Sequence, residues 1–311
     1  MVGEMVQSRG GLVTLVCPFC RGPLAPEGSG LWCGSCGDRY ERATTGQLDL
    51  RLKRPKRVTS ENEVWAQRRL DHYDKRLFGP KSPPNRAATL ALDNPRWTRG
   101  SRLTPTIMSH FPEPTRHGAA LLDIGCGDGA FASLVERLGF AYTGADFADP
   151  LAPVLADARA LPFDNSSFDV VLAIGVLEHV EQPDLSAAEA FRVLRPGGHI
   201  VGEVAFAEPF HDNSYFHHST LGIASLLERN GFELELLSPH TTWTVLKAHT
   251  LMCLLHGMPW AIARLFVAPL QIAHRLWWKA AHAARQDDDT AELSRLVRTC
   301  GGVGYVARKP R

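Results

Sequence analysis

Residues 121–131 read LLDIGCGDGAF, and this stretch decides the fold. The apolar residues at its start predict a buried strand, and the residues after the last glycine have the pattern of a helix. Gly125, Gly127 and Gly129 permit a sharp turn and allow a ligand to approach the backbone. Amides at the start of the helix would face that ligand. The stretch therefore predicts a strand, a binding loop and a helix in succession.

Acidic residues at successive strand ends indicate the kind of ligand. Asp123 precedes the loop, where its carboxylate can meet an amino group but would repel a pyrophosphate. Asp146 is placed to bind a ribose diol, and Asp157, beside the amide of Ala158, to accept from an adenine amine. Any one of these acids could be a solvated turn residue. Together they favour a cationic nucleoside that carries an amino acid, and the G-x-G-x-G spacing differs from the dinucleotide fingerprint.

From residue 119 the chain alternates strand and helix patterns, which predicts an α/β fold with a mainly parallel sheet and helices on both faces. The predicted strands are 119–125, 141–147, 153–158, 168–175, 198–206 and a final edge strand in 301–310. The predicted helices are 129–139, 184–198 and 219–232, with Asp184 and Ser219 as caps. Only residues 147–153 separate two strands, so that crossover is predicted to be a turn.

Residues 119–240 resemble the class I S-adenosylmethionine-dependent methyltransferases of the type 11 group. LLDIGCGDG, ADARALPFDNSSFDVVLAIGVLEHV and RVLRPGG occur in that family's order and spacing. The resemblance implies a Rossmann-like methyltransferase sheet, mostly parallel with a final antiparallel strand, and S-adenosylmethionine as cofactor. It assigns the cofactor to Asp123, Gly125, Cys126, Gly127, Asp146, Asp157, Ala158, Ile174 and Gly175.

Histidines are the candidate catalytic residues. The sulfonium makes the methyl carbon electrophilic, so the protein mainly has to align a nucleophile with it. A hydroxyl acceptor would benefit from a base, and histidine is matched to that task near neutral pH. His211, His217 and His218 follow a strand whose end should face the ligand, although each alone could be a packing or surface residue. His179 is predicted to pack at the mouth of the cofactor pocket.

Two Cys-x-x-Cys pairs near the N-terminus predict a metal site. Cys17, Cys20, Cys33 and Cys36 can form a tetrahedral thiolate shell, which suits zinc and leaves no open position for catalysis. The stretches CRGPL and LWCGSCGDRYE resemble a zinc ribbon. A redox dithiol pair and an iron–sulfur cluster are the alternatives. In so small a module the metal would supply the stability, and its role is predicted to be structural.

Composition and cysteine usage limit the remaining possibilities. The 311 residues carry a net charge of +1, which gives no global electrostatic reason to expect nucleic acid. The other three cysteines are isolated and odd in number, which favours a reducing compartment over a disulfide framework: Cys126, Cys253 and Cys300. The first ten residues lack the apolar core of a signal peptide, so a cytoplasmic location is expected.

The predicted domain organisation has four parts. They are a zinc ribbon at 1–50, a basic linker and helical connector or lid at 51–118, the cofactor-binding core at 119–240, and a helical extension with the final strand at 241–311. Residues 61–79 have helical spacing, with Ser60 as cap.

An amphipathic helix is predicted within residues 260–282. Its apolar face carries Leu265, Phe266, Pro269, Ile272, Ala273, Leu276 and Trp277. That face could pack on the domain, or it could make peripheral contact with a membrane. No uncharged run is long enough for a transmembrane segment.

The sequence therefore predicts a methyltransferase that acts by direct displacement on a small-molecule, glycan or secondary-metabolite acceptor, at a hydroxyl. The short crossover and residues 207–232 look like a subgroup associated with glycan and secondary-metabolite pathways. One alternative is an rRNA or tRNA base methyltransferase, with the basic residues 51–57 on phosphates. Another is a non-catalytic scaffold that binds the cofactor.

Overall fold

The computed structural model describes residues 5–8, 11–53, 103–209, 211, 213–283 and 288–311. The helix predicted after Ser60, and most of the predicted connector, lie outside the described residues. The strands are β1 (Met5–Ser8), β2 (Gly11–Thr14), β3 (Leu24–Glu27), β4 (Gly30–Cys33), β5 (Arg39–Tyr40), β6 (Leu48–Asp49), β7 (Ala119–Ile124), β8 (Phe140–Asp146), β9 (Val154–Leu155), β10 (Phe168–Ile174), β11 (Leu194–Ala205), β12 (Glu233–Pro239) and β13 (Gly302–Arg308). The helices are α1 (Pro105–Ser109), α2 (Ala132–Arg137), α3 (Pro183–Val193), α4 (Thr220–Arg229), α5 (Val245–His249), α6 (Trp260–Ala283) and α7 (Asp288–Thr299).

Among the described strands, eight form one sheet in the order β12-β13-β11-β10-β7-β8-β9-β6. The pairs from β11 to β6 are parallel, whereas β13 is antiparallel to both β11 and β12. The predicted Rossmann-like sheet, mostly parallel with a final antiparallel strand, is confirmed. The chain runs from β7 to β8 and β9 on one side and returns to β10 on the other. This reversal of strand order leaves a crevice beyond the carboxyl ends of β7 and β10.

Helices cover both faces of the sheet, as predicted. Successive side chains of a strand point to opposite faces, so Leu121 and Leu122 of β7 belong to different buried clusters. The cluster around Leu122 includes residues of α3 and α4, and the cluster around Leu121 includes residues of α1 and α2. The core is therefore a sheet buried from both sides.

The sequence prediction was wrong about the edge position of β13 and the cap of α3, and it did not anticipate that β6 and β12 belong to the central sheet. β13 is not an edge strand, because it lies between β11 and β12 and Gly302–Ala307 are all buried. Asp184 does not cap α3, since the helix begins at Pro183, whose fixed φ and missing N–H suit a first helical position. Ser219 does cap α4 and accepts a hydrogen bond from the amide of Gly222. β12 was not predicted.

The short crossover between β8 and β9 is a turn held by its own carboxylates. Asp146 accepts hydrogen bonds from the amides of Ala148 and Asp149, both at 2.9 Å. Asp149 in turn accepts from the amide of Leu151 at 2.8 Å. The turn brings the chain directly into the two residues of β9, as the spacing predicted.

The cysteine-containing segment packs on the central sheet. Its described strands β3, β4 and β5 form a small antiparallel sheet. Arg21 donates to the carbonyl of Leu161 at 2.8 Å and forms an ion pair with Glu189 of α3. The next strand, β6, pairs with β9, so residues 48–49 are part of the central sheet. The segment predicted as a ribbon at 1–50 is thus joined to the core by side-chain contacts and by strand pairing.

Helix α6 exposes the apolar face that the sequence identified. It contacts α5 and α7, and the buried residues Ala263 and Val267 lie on the opposite side from the exposed Leu265 and Leu276. The interpretation in which the apolar face packs on the domain is therefore wrong. Within the described parts of the chain, every helix is too short or too polar to cross a bilayer.

Candidate active site

The loop after β7 has a backbone that requires glycine. Gly125 has a φ of 66°, in the left-handed region, and a Cβ added there would lie 2.6 Å from Cγ2 of Val176. The amides of Gly125 and Cys126 both donate to the carbonyl of Ala145, at 2.7 and 3.2 Å. These bonds fix the loop against the end of β8.

Asp146 connects this loop to the next one. Its Oδ2 accepts from the amide of Gly127 at 3.0 Å, while its Oδ1 holds the turn after β8. A carboxylate can accept about four hydrogen bonds. Asp146 can therefore hold these amides and still accept a bond from a ligand hydroxyl.

A cavity of about 840 Å³ lies beyond the carboxyl ends of β7, β8, β9 and β10. Five residues predicted to bind the cofactor line it: Gly125, Asp146, Asp157, Ala158 and Gly175. Four others, Asp123, Cys126, Gly127 and Ile174, are not among the lining residues. The residues predicted to bind the ribose and the adenine therefore line the cavity. Asp123, which was predicted to bind the methionine part of the cofactor, lies beneath the glycine loop.

Asp123 is buried under the glycine loop, with an exposed fraction of 1%. Tyr142 donates a hydrogen bond to its Oδ2 at 2.9 Å. Burial, with a smaller contribution from the charge of Asp146, raises the pKa of Asp123 to about 7. Burial also raises the pKa of the Cys126 thiol, to about 12, so this cysteine is a neutral packing residue at ordinary pH.

Arg159 is a cavity residue that sequence reasoning missed. Its guanidinium donates to Asp157, with Nη2 2.8 Å from Oδ2, and reaches Oε2 of Glu181 at 3.3 Å. Asp157 and Glu181 also line the cavity. The signal was a cation two residues beyond a strand-end aspartate, in the stretch DAR. The positive charge of Arg159 therefore offsets part of the negative charge that Asp157 presents to a ligand.

The histidine that lines the cavity is His179, and His211 lies directly behind it. Their Nε2 atoms are 2.9 Å apart. Nδ1 of His211 is hydrogen-bonded to Glu208, which is buried and also accepts from Nε1 of Trp243 at 2.6 Å. Oε1 of the buried Glu178 lies 3.6 Å from Nε2 of His211. These contacts form a chain from the cavity wall to a buried carboxylate.

The other predicted catalytic histidines do not line this cavity. His217 is exposed. His218 is buried, and its Nε2 lies 3.4 Å from the carbonyl of Leu177. Burial lowers the pKa of His218, which favours its neutral form. Of the three candidates, His211 is the one connected to the cavity, through His179.

The four predicted metal ligands converge in the N-terminal segment. The Sγ atoms of Cys17 and Cys36 are 3.7 Å apart, and those of Cys20 and Cys33 are 3.5 Å apart. All four lie within 4.8 Å of one another. Among the described residues, the carboxylate of Glu178 and the imidazoles of His179 and His211 also lie within 4.8 Å of one another. Its two imidazoles are already hydrogen-bonded to each other.

The sheet and its crevice have the architecture in which α/β domains bind ligands, beyond the carboxyl ends of the strands. Residues 122–202 match the family model described as a methyltransferase domain. This part of the chain is a methyltransferase domain.

Proteins with similar sequences include methyltransferases. The ubiquinone biosynthesis O-methyltransferase of Roseobacter denitrificans is 39% identical over 102 residues, which are 28% of this chain and 41% of that protein. An uncharacterized methyltransferase of Mycobacterium sp. (strain KMS) is 35% identical over 131 residues, 38% of this chain and 51% of its own length. The chain thus spans about half the length of these relatives, or less. A solved S-adenosylmethionine-dependent methyltransferase from Mesorhizobium loti has a TM-score of 0.43 at 16% identity, covering 68% of this chain and 99% of its own.

Replacing Asp123 with Asn should make the ligand-free protein more stable at alkaline pH. An ordinary aspartate ionises near pH 3.9, so between about pH 4 and 7 the unfolded chain is ionised while folded Asp123 keeps its proton. The wild type therefore loses stability over this interval, by at most about 4 kcal/mol at 1.4 kcal/mol per pKa unit. The Asn variant should not lose it.

Thermal melts of both proteins from pH 4 to 8.5 measure this difference. The gap in melting temperature should be near zero at pH 4 and level off above pH 7. The exposed Asp164→Asn is the control. A gap of the same size at every pH would contradict the raised pKa of Asp123.

Proposed function

We propose that the protein is an S-adenosylmethionine-dependent methyltransferase that methylates a hydroxyl of a small-molecule, glycan or secondary-metabolite acceptor by direct displacement. The observation that carries the proposal is the cavity wall made by Gly125, Asp146, Asp157 and Gly175, within a methyltransferase domain. Its volume of about 840 Å³ lies toward the upper end of the range for small-molecule sites, about 300–1,000 Å³. Such a volume is consistent with a cofactor and a small acceptor bound side by side.

The residues present fit S-adenosylmethionine, whose sulfonium supplies an electrophilic methyl group. Asp146 would accept from the ribose hydroxyls, and Asp157, with the amide of Ala158, would bind the adenine. Gly125 and Gly175 have no side chains, so they leave the cavity wall open between these acids. Asp123 would bind the amino group from below the loop, as the resemblance implies.

The histidine chain supports a hydroxyl acceptor. His179 is in position to take a proton from a group in the cavity, and His211 can receive it through the 2.9 Å contact. Glu208, oriented by Trp243, fixes the Nδ1 side of His211 and would stabilise the imidazolium. The match to a protein named an O-methyltransferase agrees with this assignment.

The described part of the basic stretch offers little to a nucleic acid. Arg51 is paired with Asp49 and lies 5.6 Å from the ring centroid of Phe147. Lys53 lies 5.8 Å from the ring centroid of Tyr40. Because these two cations already have partners in the protein, the described residues 51–53 do not support the RNA base methyltransferase.

Binding of S-adenosylhomocysteine tests the cofactor. Wild-type protein should bind it in isothermal calorimetry, and Asp146→Asn should weaken binding by about tenfold or more, since a hydrogen bond to a charged group contributes about 1.5–3 kcal/mol. Asp157→Asn is a second variant on the same wall, and Asp164→Asn is the exposed control. Absence of binding to a folded wild type, shown by its melting curve, would refute the cofactor assignment.

Transfer of a labelled methyl group tests the acceptor and the histidine chain together. A panel of phenols, catechols, sugars and RNA transcripts should give labelled product with a small hydroxyl compound. His179→Ala and His211→Ala should lower kcat by about 100-fold or more with unchanged cofactor affinity, the size expected for loss of a general base. His217→Ala should behave as wild type. Product with RNA alone would favour the base methyltransferase, and cofactor binding without any product would favour the scaffold.

We also propose that Cys17, Cys20, Cys33 and Cys36 hold a structural zinc. The convergence of their Sγ atoms and an all-thiolate donor set support zinc, and four ligands leave no open position. The contacts of Arg21 with Leu161 and Glu189 support a bracing role for this segment. Thiolate ligands need a reducing environment, in keeping with the expected cytoplasmic location.

Metal analysis tests this site. The purified protein should contain one zinc per chain, and Cys17→Ser should lose it and melt at a lower temperature. Cys253→Ser, a change at an exposed cysteine, should keep both zinc and stability. Full zinc content in Cys17→Ser, or iron with visible absorption in the wild type, would contradict a four-thiolate zinc site.

A further inference from the structure

The outward face of α6 is a continuous apolar surface. Large apolar side chains along it are between 48% and 71% exposed: Ile262, Leu265, Phe266, Leu270, Ile272, Leu276 and Trp277. Single exposed apolar residues are ordinary, but a contiguous group on one helix marks an interaction surface. We call this group the α6 apolar face.

The α6 apolar face points directly away from the protein. Ala263 and Val267 are buried, and Nε2 of Gln271 donates to Oγ1 of Thr244 at 2.8 Å, which fixes the inner side of the helix. At about 100° per residue, Leu276 lies about 180° around the helix from Val267. The domain therefore anchors one side of α6 and presents the other to the surroundings.

The charges of α6 all have one sign. Residues 260–283 include Arg264, Arg275 and Lys279 and contain no aspartate or glutamate. These cations lie about 60–120° from Val267, all on the same side, and so border the α6 apolar face. The carboxylate of Glu292 on α7 is bound to Arg295, with 2.9 Å between Nε and Oε2; this bond, and to a smaller extent the charges of Arg275 and Lys279, lower the pKa of Glu292.

An apolar face bordered by cations, on a helix that is not apolar enough to cross a bilayer, matches an anionic lipid surface. We propose that α6 lies in the plane of an anionic membrane, with its apolar face at the boundary between headgroups and acyl chains and its cations on lipid phosphates. Charge complementarity favours lipid over a second copy of this chain, because lipid phosphates supply the negative charge that the sequence of α6 lacks. This inference is independent of the methyltransferase proposal.

Vesicle co-sedimentation with the full-length protein, without cofactor or acceptor, tests the proposal. The protein should bind phosphatidylglycerol–phosphatidylcholine vesicles, bind phosphatidylcholine vesicles much less, and dissociate as salt is raised. Changing Phe266 and Trp277 together to Ser should weaken binding by about tenfold or more. Arg275→Gln and Lys279→Gln should each weaken it by about fivefold on the anionic vesicles.

Leu151→Ser is the matched control, because Leu151 is as exposed as Trp277, at 71%, but lies in the turn after β8. It should bind like the wild type. All these side chains are exposed, so melting temperatures should change little. Failure of the wild type to bind anionic vesicles would overturn the proposal, as would equal binding by the Phe266 and Trp277 variant. A dimer in analytical ultracentrifugation that this variant abolishes would assign the face to a second copy instead.

Discussion

The carboxylate of Asp146 is the interaction on which the architecture of the cavity depends. One of its oxygens holds the amide of Gly127 and the other holds the turn after β8. The glycine loop, the end of β8 and the start of β9 are thereby fixed around one side chain. The turn replaces a crossover helix, and β9 pairs on its outer side with β6. Asp146 thus fixes one wall of the cavity. It also fixes the start of β9, the strand with which β6 of the N-terminal segment pairs.

Features that depend on local sequence could be predicted. The glycine loop could be predicted because Gly125 and Gly127 adopt positive φ values, which glycine reaches readily. The turn after Asp146 could be predicted because too few residues separate the two strands for a crossover helix. The four cysteines could be identified because their spacing alone limits the chemistry. For the same reason the parallel sheet and its alternating helices were predictable, since hydrophobic periodicity is a property of each segment by itself.

Features that depend on distant contacts could not be predicted. His179 and His211 meet only because the turn after β10 and the loop after β11 converge, 32 residues apart in sequence. The burial of Asp123 beneath the loop depends on Tyr142, on another strand. Periodicity identified the two faces of α6, but it could not tell which face the protein would cover. In each case the missing information is the tertiary neighbour, which no local pattern contains.

The position of β13 has a consequence for how the molecule is made. This strand, at residues 302–308, lies between β11 and β12, so Tyr305 pairs with Gly202 on one side and with Leu237 on the other. During synthesis β11 and β12 emerge before β13, so neither can form its pairing with β13 until that strand is made. This side of the sheet is therefore completed only after β13 leaves the ribosome. A nascent chain that stalls before residue 302 lacks β13. The backbone groups of β11 and β12 that pair with β13 in the folded protein are then without these partners.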